Sequence, residues 1–309
     1  MPLEDLHGAA RAEPRSLMQP VAPSLSARAQ TGVRDLVCLG KPAITASNVL
    51  MAAGGMILAP SRPAPATVAT FLLGTGLVVA AANAWNMIIE RESDALMART
   101  RLRPLAARRL SPWRAGVATG VAAITGLGLL AAVDLSTAAL GAAALLLYAA
   151  VYTPLKRRTP WALYMGAIPG AIPPVMGWTA AEGRLSWVAV ACFALLYAWQ
   201  IPHFIGIAVW RREDYGAAGI RTIVSCFGED RARRHALAGA VAMLVACGAL
   251  VVLGAGGWIF FAAATTTSAV SLKACLDRDA GWSRRAFVAS VWFLPAVFVA
   301  LALERLLGV

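Results

Sequence analysis

Residues 66–103 read ATVATFLLGTGLVVAAANAWNMIIERESDALMARTRLR. The first part is an apolar run of the length, about 20 residues, that crosses a ~30 Å hydrocarbon core as a helix. The second part turns polar: two amides, then acids, then arginines. Lipid offers the backbone no hydrogen-bond partner, so a run of this kind must be helical.

Comparable runs lie near 43–60, 113–133, 136–153, 161–179, 185–209, 236–254, 256–272 and 286–306. They predict an all-α membrane protein of about nine transmembrane helices. At 254–257 a hairpin between two spans and one broken helix are both compatible with the sequence. Composition agrees: 59% of residues are hydrophobic and 14% charged, at a mean hydropathy of +0.66. A soluble domain averages about 45–50% apolar and about 25% charged.

The formal charge of +12 would point to nucleic acid in a soluble chain. Here the bases sit between apolar runs, where they mark cytoplasmic loops and contacts to anionic membrane lipid. Nucleic acid is therefore not an expected partner. The five cysteines form no C-x-x-C pair, which argues against a zinc site or a disulfide framework. Residues 1–34 hold Pro, Arg, Ser and Glu without an apolar core. They read as a disordered cytoplasmic tail ahead of a transmembrane domain over 35–309.

With the N-terminus inside, only Arg62, Arg184 and Arg305 fall on the outer side, leaving 25 of the 28 Lys and Arg inside. The bias orients the bundle, with the N-terminus and the charged loops cytoplasmic. The inner connections near 90–112 and 210–235 are the long ones, and long loops in compact folds are more often functional. Each begins with acids, which suggests a weak internal repeat.

Asn83, Asn86, Glu90 and Asp94 are spaced by 3, 4 and 4 residues, so one helical stripe carries their oxygens. Hard oxygen ligands of this kind suit Mg²⁺, which also takes substrate phosphate oxygens. Amides within an apolar span are costly unless used. Arg91, Arg99, Arg101 and Arg103 follow, and arginine beside acid-held metal is chemistry for gripping a diphosphate. Glu213, Asp214 and Tyr215 form a second acidic cluster and a candidate second metal site, with a solvated membrane-edge charge run as the alternative.

Gln200 and His203 share a helical face inside a span, in Trp199-Gln-Ile-Pro-His-Phe204. Pro202 should kink that helix. An intramembrane His points to function by default, as acid/base, substrate contact or haem contact. Lys156-Arg157-Arg158 is a basic inner loop, compatible with substrate binding or with plain topological charge. The Gly- and Pro-rich span over 165–178 suits either a cavity wall or close helix packing.

Asn86-x-x-x-Glu90-x-x-x-Asp94, then Met97-x-Arg99-Thr-x-x-Arg103-Pro-Leu105, resembles the first signature of the UbiA-type intramembrane prenyltransferases. Tyr152-Thr-Pro-Leu-Lys-Arg-Arg-Thr-Pro160 and Gly170-Ala-Ile-Pro-Pro-Val-Met-Gly-Trp178 narrow the resemblance to the protohaem IX farnesyltransferase (haem O synthase) branch. So do Trp199-Gln-Ile-Pro-His-Phe204 and Asp214-Tyr-x-x-Ala-Gly219. The likeness runs from about Leu39 to the C-terminus. It departs at Glu90 and Glu92, where the family usually carries Asp, at Lys41-Pro42-Ala43, where it often reads Lys-Pro-Arg, and at Arg221-Thr222, where it tends to Pro-Met.

The resemblance implies a UbiA-like bundle with a cavity open to the cytoplasmic side. It implies farnesyl transfer from farnesyl diphosphate to a vinyl group of haem B, with Mg²⁺ as cofactor or Mn²⁺ in its place. Asn86, Glu90 and Asp94 would act in catalysis and hold metal, joined by His203 in catalysis and by Glu213 and Asp214 at the metal. Arg99, Arg103, Lys41, Lys156, Arg157, Arg158, Gln200 and Tyr215 would bind substrate. Trp85 or Trp199 would shield an allylic cation. A downstream haem A synthase or terminal oxidase is the partner this implies. Two other readings are a UbiA-type enzyme with another aromatic acceptor, such as a quinone precursor or chlorophyllide, and a transporter. Transport sites sit near the midplane, whereas these acids sit at one edge.

Overall fold

The computed structural model describes residues 25–308, with side chains from Gly32 onward except Arg305. Most of the tail expected over 1–34 lies outside the described residues. Its last part belongs to α1 (Leu25–Leu39), so the expected boundary at 34 falls within a helix.

The chain continues as α2 (Pro42–Leu58), α3 (Pro65–Leu96) and α4 (Pro112–Val133). Next comes α5 (Leu135–Leu146), which runs through a π-helical turn, Leu147–Tyr152, into the short α6 (Thr153–Leu155). After it come α7 (Ala162–Glu182), α8 (Trp187–Trp210), the short α9 (Arg212–Ala217) and α10 (Ile223–Phe227). The last three are α11 (Glu229–Val252), α12 (Trp258–Leu276) and α13 (Trp282–Leu307). No strand occurs among the described residues.

Among the described residues, seven helices are long and apolar enough to cross a membrane, or eight if α1 and α2, which meet at 46°, count as one span. The expected total of nine is therefore not reached by length and composition. The difference lies at α7, a 21-residue helix whose glycines and prolines dilute its apolar character. Its walls are other helices: nearly every residue from Gly166 to Ala180 is buried.

Close packing of α2 on α7 depends on glycine. A Cβ at Gly177 would lie 1.9 Å from the Ala52 carbonyl oxygen, and one at Gly55 would lie 2.0 Å from that of Pro174. Without side chains at these points the two backbones touch, which is how small residues drive helix association in lipid. On its other side α7 meets α8, which also packs on α11 and α13. Buried Phe260, Phe293, Met243 and Leu250 fill the space between these helices.

The turns at the end away from the basic loops are short and capped. Asp134 Oδ2 accepts from Thr137 N at 2.8 Å and starts α5. The 254–257 segment resolves as a hairpin, because Gly254 and Gly256 take φ values of 68° and 88° that only glycine adopts easily. Glu304, buried on α13, accepts Gly257 N and Phe260 N at 2.8 Å each and so caps α12 from a neighbouring helix.

Candidate active site

At the end of the bundle that carries the basic loops, the helices meet over the last turns of α3. Asn83, Asn86, Glu90 and Asp94 are all buried there, on the single stripe their spacing predicts. Buried charge needs partners, and each group finds one from a distant segment. Lys41 Nζ donates to Asn86 Oδ1 at 2.6 Å. Lys156 pairs with Glu90. Arg103 Nη1 donates to Asp94 Oδ2 at 2.7 Å.

Two backbone features place the lysines. Lys41 takes φ 48°, an unusual left-handed conformation for a side chain with a Cβ, at the break between α1 and α2. Asn83 Nδ2 supports that break by donating to Gly40 O and Thr45 Oγ1 at 3.3 Å each. The π turn at Leu147–Tyr152 adds a residue to the helical repeat, a device frequent at functional sites. Beyond it, Thr153 Oγ1 accepts from Asn86 Nδ2 at 3.1 Å. The rings of Tyr148 and Tyr152 lie 5.4 Å apart, and Lys156 Nζ sits 5.4 Å from the Tyr152 ring. Gly166 leaves room for that ring, since a Cβ there would come within 2.5 Å of it.

The segment after α3 folds back over the stripe. Thr100 Oγ1 donates to Asp94 O at 2.8 Å, and Arg109 clasps Asp35 of α1 through three contacts of 3.0–3.3 Å. Arg99 lies 5.6 Å from the Tyr215 ring, which brings the two long inner connections together. Burial raises the Tyr215 phenol above its ordinary range, against the lowering effect of the Arg99 cation, so it remains a neutral donor.

The other expected residues sit elsewhere. Glu213 is exposed and Asp214 half-buried on α9, and no group of three His, Cys, Asp or Glu that could hold a metal occurs among the described residues. Arg157 and Arg158 are exposed. Gln200 Nε2 donates to Ala167 O and Leu196 O, tying α8 to α7. His203 Nδ1 bonds Ser290 Oγ at 2.8 Å, and its ring stacks on Trp199 at 4.9 Å. His203 thus faces α13, as does Trp199, whose Nε1 donates to Ser290 O. Trp85 is exposed. Glu92 points outward and pairs with Arg91, off the stripe as its spacing predicts.

Tyr148, Tyr152 and Thr153 also border the stripe; the last two open the Tyr152–Pro160 motif, which assigned them no role of their own. Their signal was the spacing Tyr148-x-x-x-Tyr152-x-x-x-Lys156, which puts rings and amine on one face. The donor set of the stripe fits a hard divalent cation: one amide oxygen and two carboxylates, with Asp94 Oδ1 buried and unpartnered. Mg²⁺ typically takes one or two carboxylates and completes its shell with water and phosphate.

A helical membrane bundle whose inner end holds a buried amide–acid–acid stripe, ringed by Lys and Arg, is built to bind a polyanionic headgroup beside an apolar tail. The chain belongs to the UbiA prenyltransferase family, whose model matches residues 48–294. It is similar to the protoheme IX farnesyltransferase of Anaeromyxobacter sp. (strain Fw109-5), 44% identical over 87% of this chain and 93% of the relative. The protein of that name from Myxococcus xanthus (strain DK1622) is 37% identical over 91% and 99%. Among solved structures, the bundle superposes on a digeranylgeranylglyceryl phosphate synthase with a TM-score of 0.75 at 13% identity, over 89% of this chain and 99% of that one. It also superposes on a UbiA homologue from Archaeoglobus fulgidus bound to GPP and Mg²⁺, with a TM-score of 0.66 at 16% identity, over 87% and 99%.

Proposed function

We propose that the chain transfers the farnesyl group of farnesyl diphosphate to a vinyl group of haem B, giving haem O and diphosphate. The observation that carries this reading is the buried stripe of Asn86, Glu90 and Asp94 beneath Lys41, Arg103 and Lys156, in a chain 44% identical to a protein named for that reaction.

The chemistry requires breaking the allylic C–O bond. The leaving diphosphate takes the electron pair, and the vinyl group attacks the farnesyl cation. The carbocation left beside the porphyrin is captured by water, which then loses a proton. Arg103, Lys156, Lys41 and Arg99 neutralise the charge that develops on the leaving group, the largest single contribution in such reactions. Asn86, Glu90 and Asp94 would hold a divalent metal, which when bound supplies further neutralisation of the diphosphate. Mg²⁺ is the proposed ion, as in the A. fulgidus homologue bound to GPP and Mg²⁺. The rings of Tyr148 and Tyr152 present π faces next to the stripe and shield the cation. Burial of the stripe keeps water from the cation before the acceptor is reached.

The charge distribution supports a cytoplasmic location for this end of the bundle and for the N-terminus. The test is mass spectrometry of haems after purified protein is incubated with haem B, farnesyl diphosphate and Mg²⁺. A farnesylated, hydrated haem is the expected product. Its absence with well-folded protein, or farnesylation of a quinone precursor instead, would overturn the assignment.

A further inference from the structure

Lys41 is held in a conformation that its own chain disfavours. Its φ of 48° and ψ of 71° lie in the left-handed region, where a residue with a Cβ crowds its backbone. Pro42 follows, and a proline disfavours the right-handed helical conformation in the residue before it. The chain therefore breaks at Lys41, and α1 and α2 meet there at 46°. A residue stays in such a region only where its surroundings over-determine it.

The surroundings here are specific. The carbonyl that precedes Lys41, Gly40 O, accepts from Thr45 Oγ1 at the start of α2 at 2.6 Å and from Asn83 Nδ2 on α3 at 3.3 Å. Asn83 Nδ2 also donates to Thr45 Oγ1 at 3.3 Å, which closes a triangle of hydrogen bonds around the break. Asn83 is 2% exposed, so its amide is committed to this task in a place where water cannot substitute. Gly40 lies close against α3, since a Cβ there would come 3.1 Å from that of Ala80. One turn further along α3, Asn86 Oδ1 accepts from Lys41 Nζ at 2.6 Å. Two amides of one helix thus hold the same lysine, one at its backbone and one at its amine.

We infer that Asn83 and Thr45 are positioning residues, which fix the backbone at Lys41 so that its ammonium meets the diphosphate of the substrate. An ammonium rides on a flexible four-carbon stem, so its place is only as defined as the backbone that carries it. Misplacing a charge-stabilising group by about 1 Å can cost on the order of 10²-fold in rate. The inference rests on the proposed function only in taking a diphosphate as the group bound at the stripe. It gives Asn83 a part distinct from that of Asn86, Glu90 and Asp94: it acts through Lys41 and not on the substrate.

The experiment measures equilibrium binding of farnesyl diphosphate with Mg²⁺, without haem, on purified wild type and variants. Gly40 O keeps one donor in Asn83→Ala and one in Thr45→Val, so each should fold. Each is expected to weaken binding about tenfold. Thr45→Ser, which keeps the hydroxyl, should bind like wild type. Lys41→Met should also lose affinity, and the double variant Asn83→Ala/Lys41→Met should bind no more weakly than Lys41→Met alone, because the triangle acts only through the amine. Losses that multiply in the double variant, or a lower Tm with unchanged binding in the single ones, would overturn the inference. Thr45→Val/Lys41→Met gives the same cycle should the Asn83 variants not fold. Haem products are assayed on the same preparations. Non-additive binding losses in a chain that makes no farnesylated haem uphold the positioning role and remove the proposed acceptor. Multiplying losses in a chain that does farnesylate haem reject the positioning role alone.

Discussion

Arg103 Nη1 donates to Asp94 Oδ2 at 2.7 Å, while Asp94 Oδ1 is buried and has no donor beside it. A half-satisfied buried carboxylate is costly in a resting protein, and the open oxygen is the position where a cation belongs. Asp94→Asn keeps the shape and removes the charge. Turnover should fall by at least about 10²-fold, the scale seen when one group that stabilises developing charge is lost. Membrane insertion and detergent-solubilised size should be unchanged. Assays of product formation beside size-exclusion profiles decide it, and an active Asp94→Asn protein would remove the stripe from the mechanism.

Buried Glu90 and half-buried Lys156 form a pair between α3 and the segment after α6. Removing one partner strands the other, which costs about 3–5 kcal/mol in buried pairs. Glu90→Gln and Lys156→Met should therefore each lower the unfolding midpoint in detergent. The double variant should recover much of that loss while remaining inactive. Additive destabilisation in the double variant would show that the two groups do not depend on each other.

Gly177→Ala places a methyl group 1.9 Å from the Ala52 carbonyl oxygen. The obstacle is backbone, so α2 and α7 must separate. Overpacking of this kind typically costs about 1–3 kcal/mol, read as a lower Tm. Gly248→Ala is the control, because nothing lies within 4 Å of a Cβ at that position, and it should leave Tm unchanged.

His203 joins Ser290 and stacks on Trp199. A helix tie predicts that His203→Ala lowers thermal stability and leaves kcat within a few-fold of wild type. A proton-transfer role would instead cost about 10²–10⁴-fold in rate. Turnover and melting of one preparation separate the two outcomes.

Cys226 is the one exposed cysteine among the described residues, on α10 at the charged end. A membrane-impermeant maleimide should label it in inverted membrane vesicles and spare it in intact spheroplasts. The reverse pattern would invert the proposed orientation.

The helices were legible because each apolar run is long and ends in charge, as α3 and α8 do. Most of the stripe was legible too, because four residues at helical spacing share a face whatever surrounds them. The partners of the stripe were not. Lys41 and Lys156 lie 45 and 70 positions from Asn86 along the sequence, and only the bend before α2 and the π turn after α5 bring them in. A π turn leaves no periodicity signal. The setting of His203 was hidden for a related reason. An intramembrane imidazole invites a functional reading, and nothing local in sequence announces that Ser290, on the last helix, takes its nitrogen. The α7 span is legible as the apolar run 161–179 yet falls below a strict hydropathy test, because its glycines serve contact between backbones, which hydropathy does not register.

Arg103 and Lys156 answer Asp94 and Glu90 one for one, whereas Arg99 rests on the Tyr215 ring with no carboxylate opposite. The basic end of the bundle therefore presents uncancelled positive potential. An isoprenoid diphosphate, the proposed donor, would reach it by diffusing within the bilayer, a search in two dimensions that this field would bias at short range. Capture should then slow as ionic strength rises, over the ~10 Å screening length of 0.1 M salt. The arginines that orient the chain during insertion would thus also gather its substrate from the surrounding membrane.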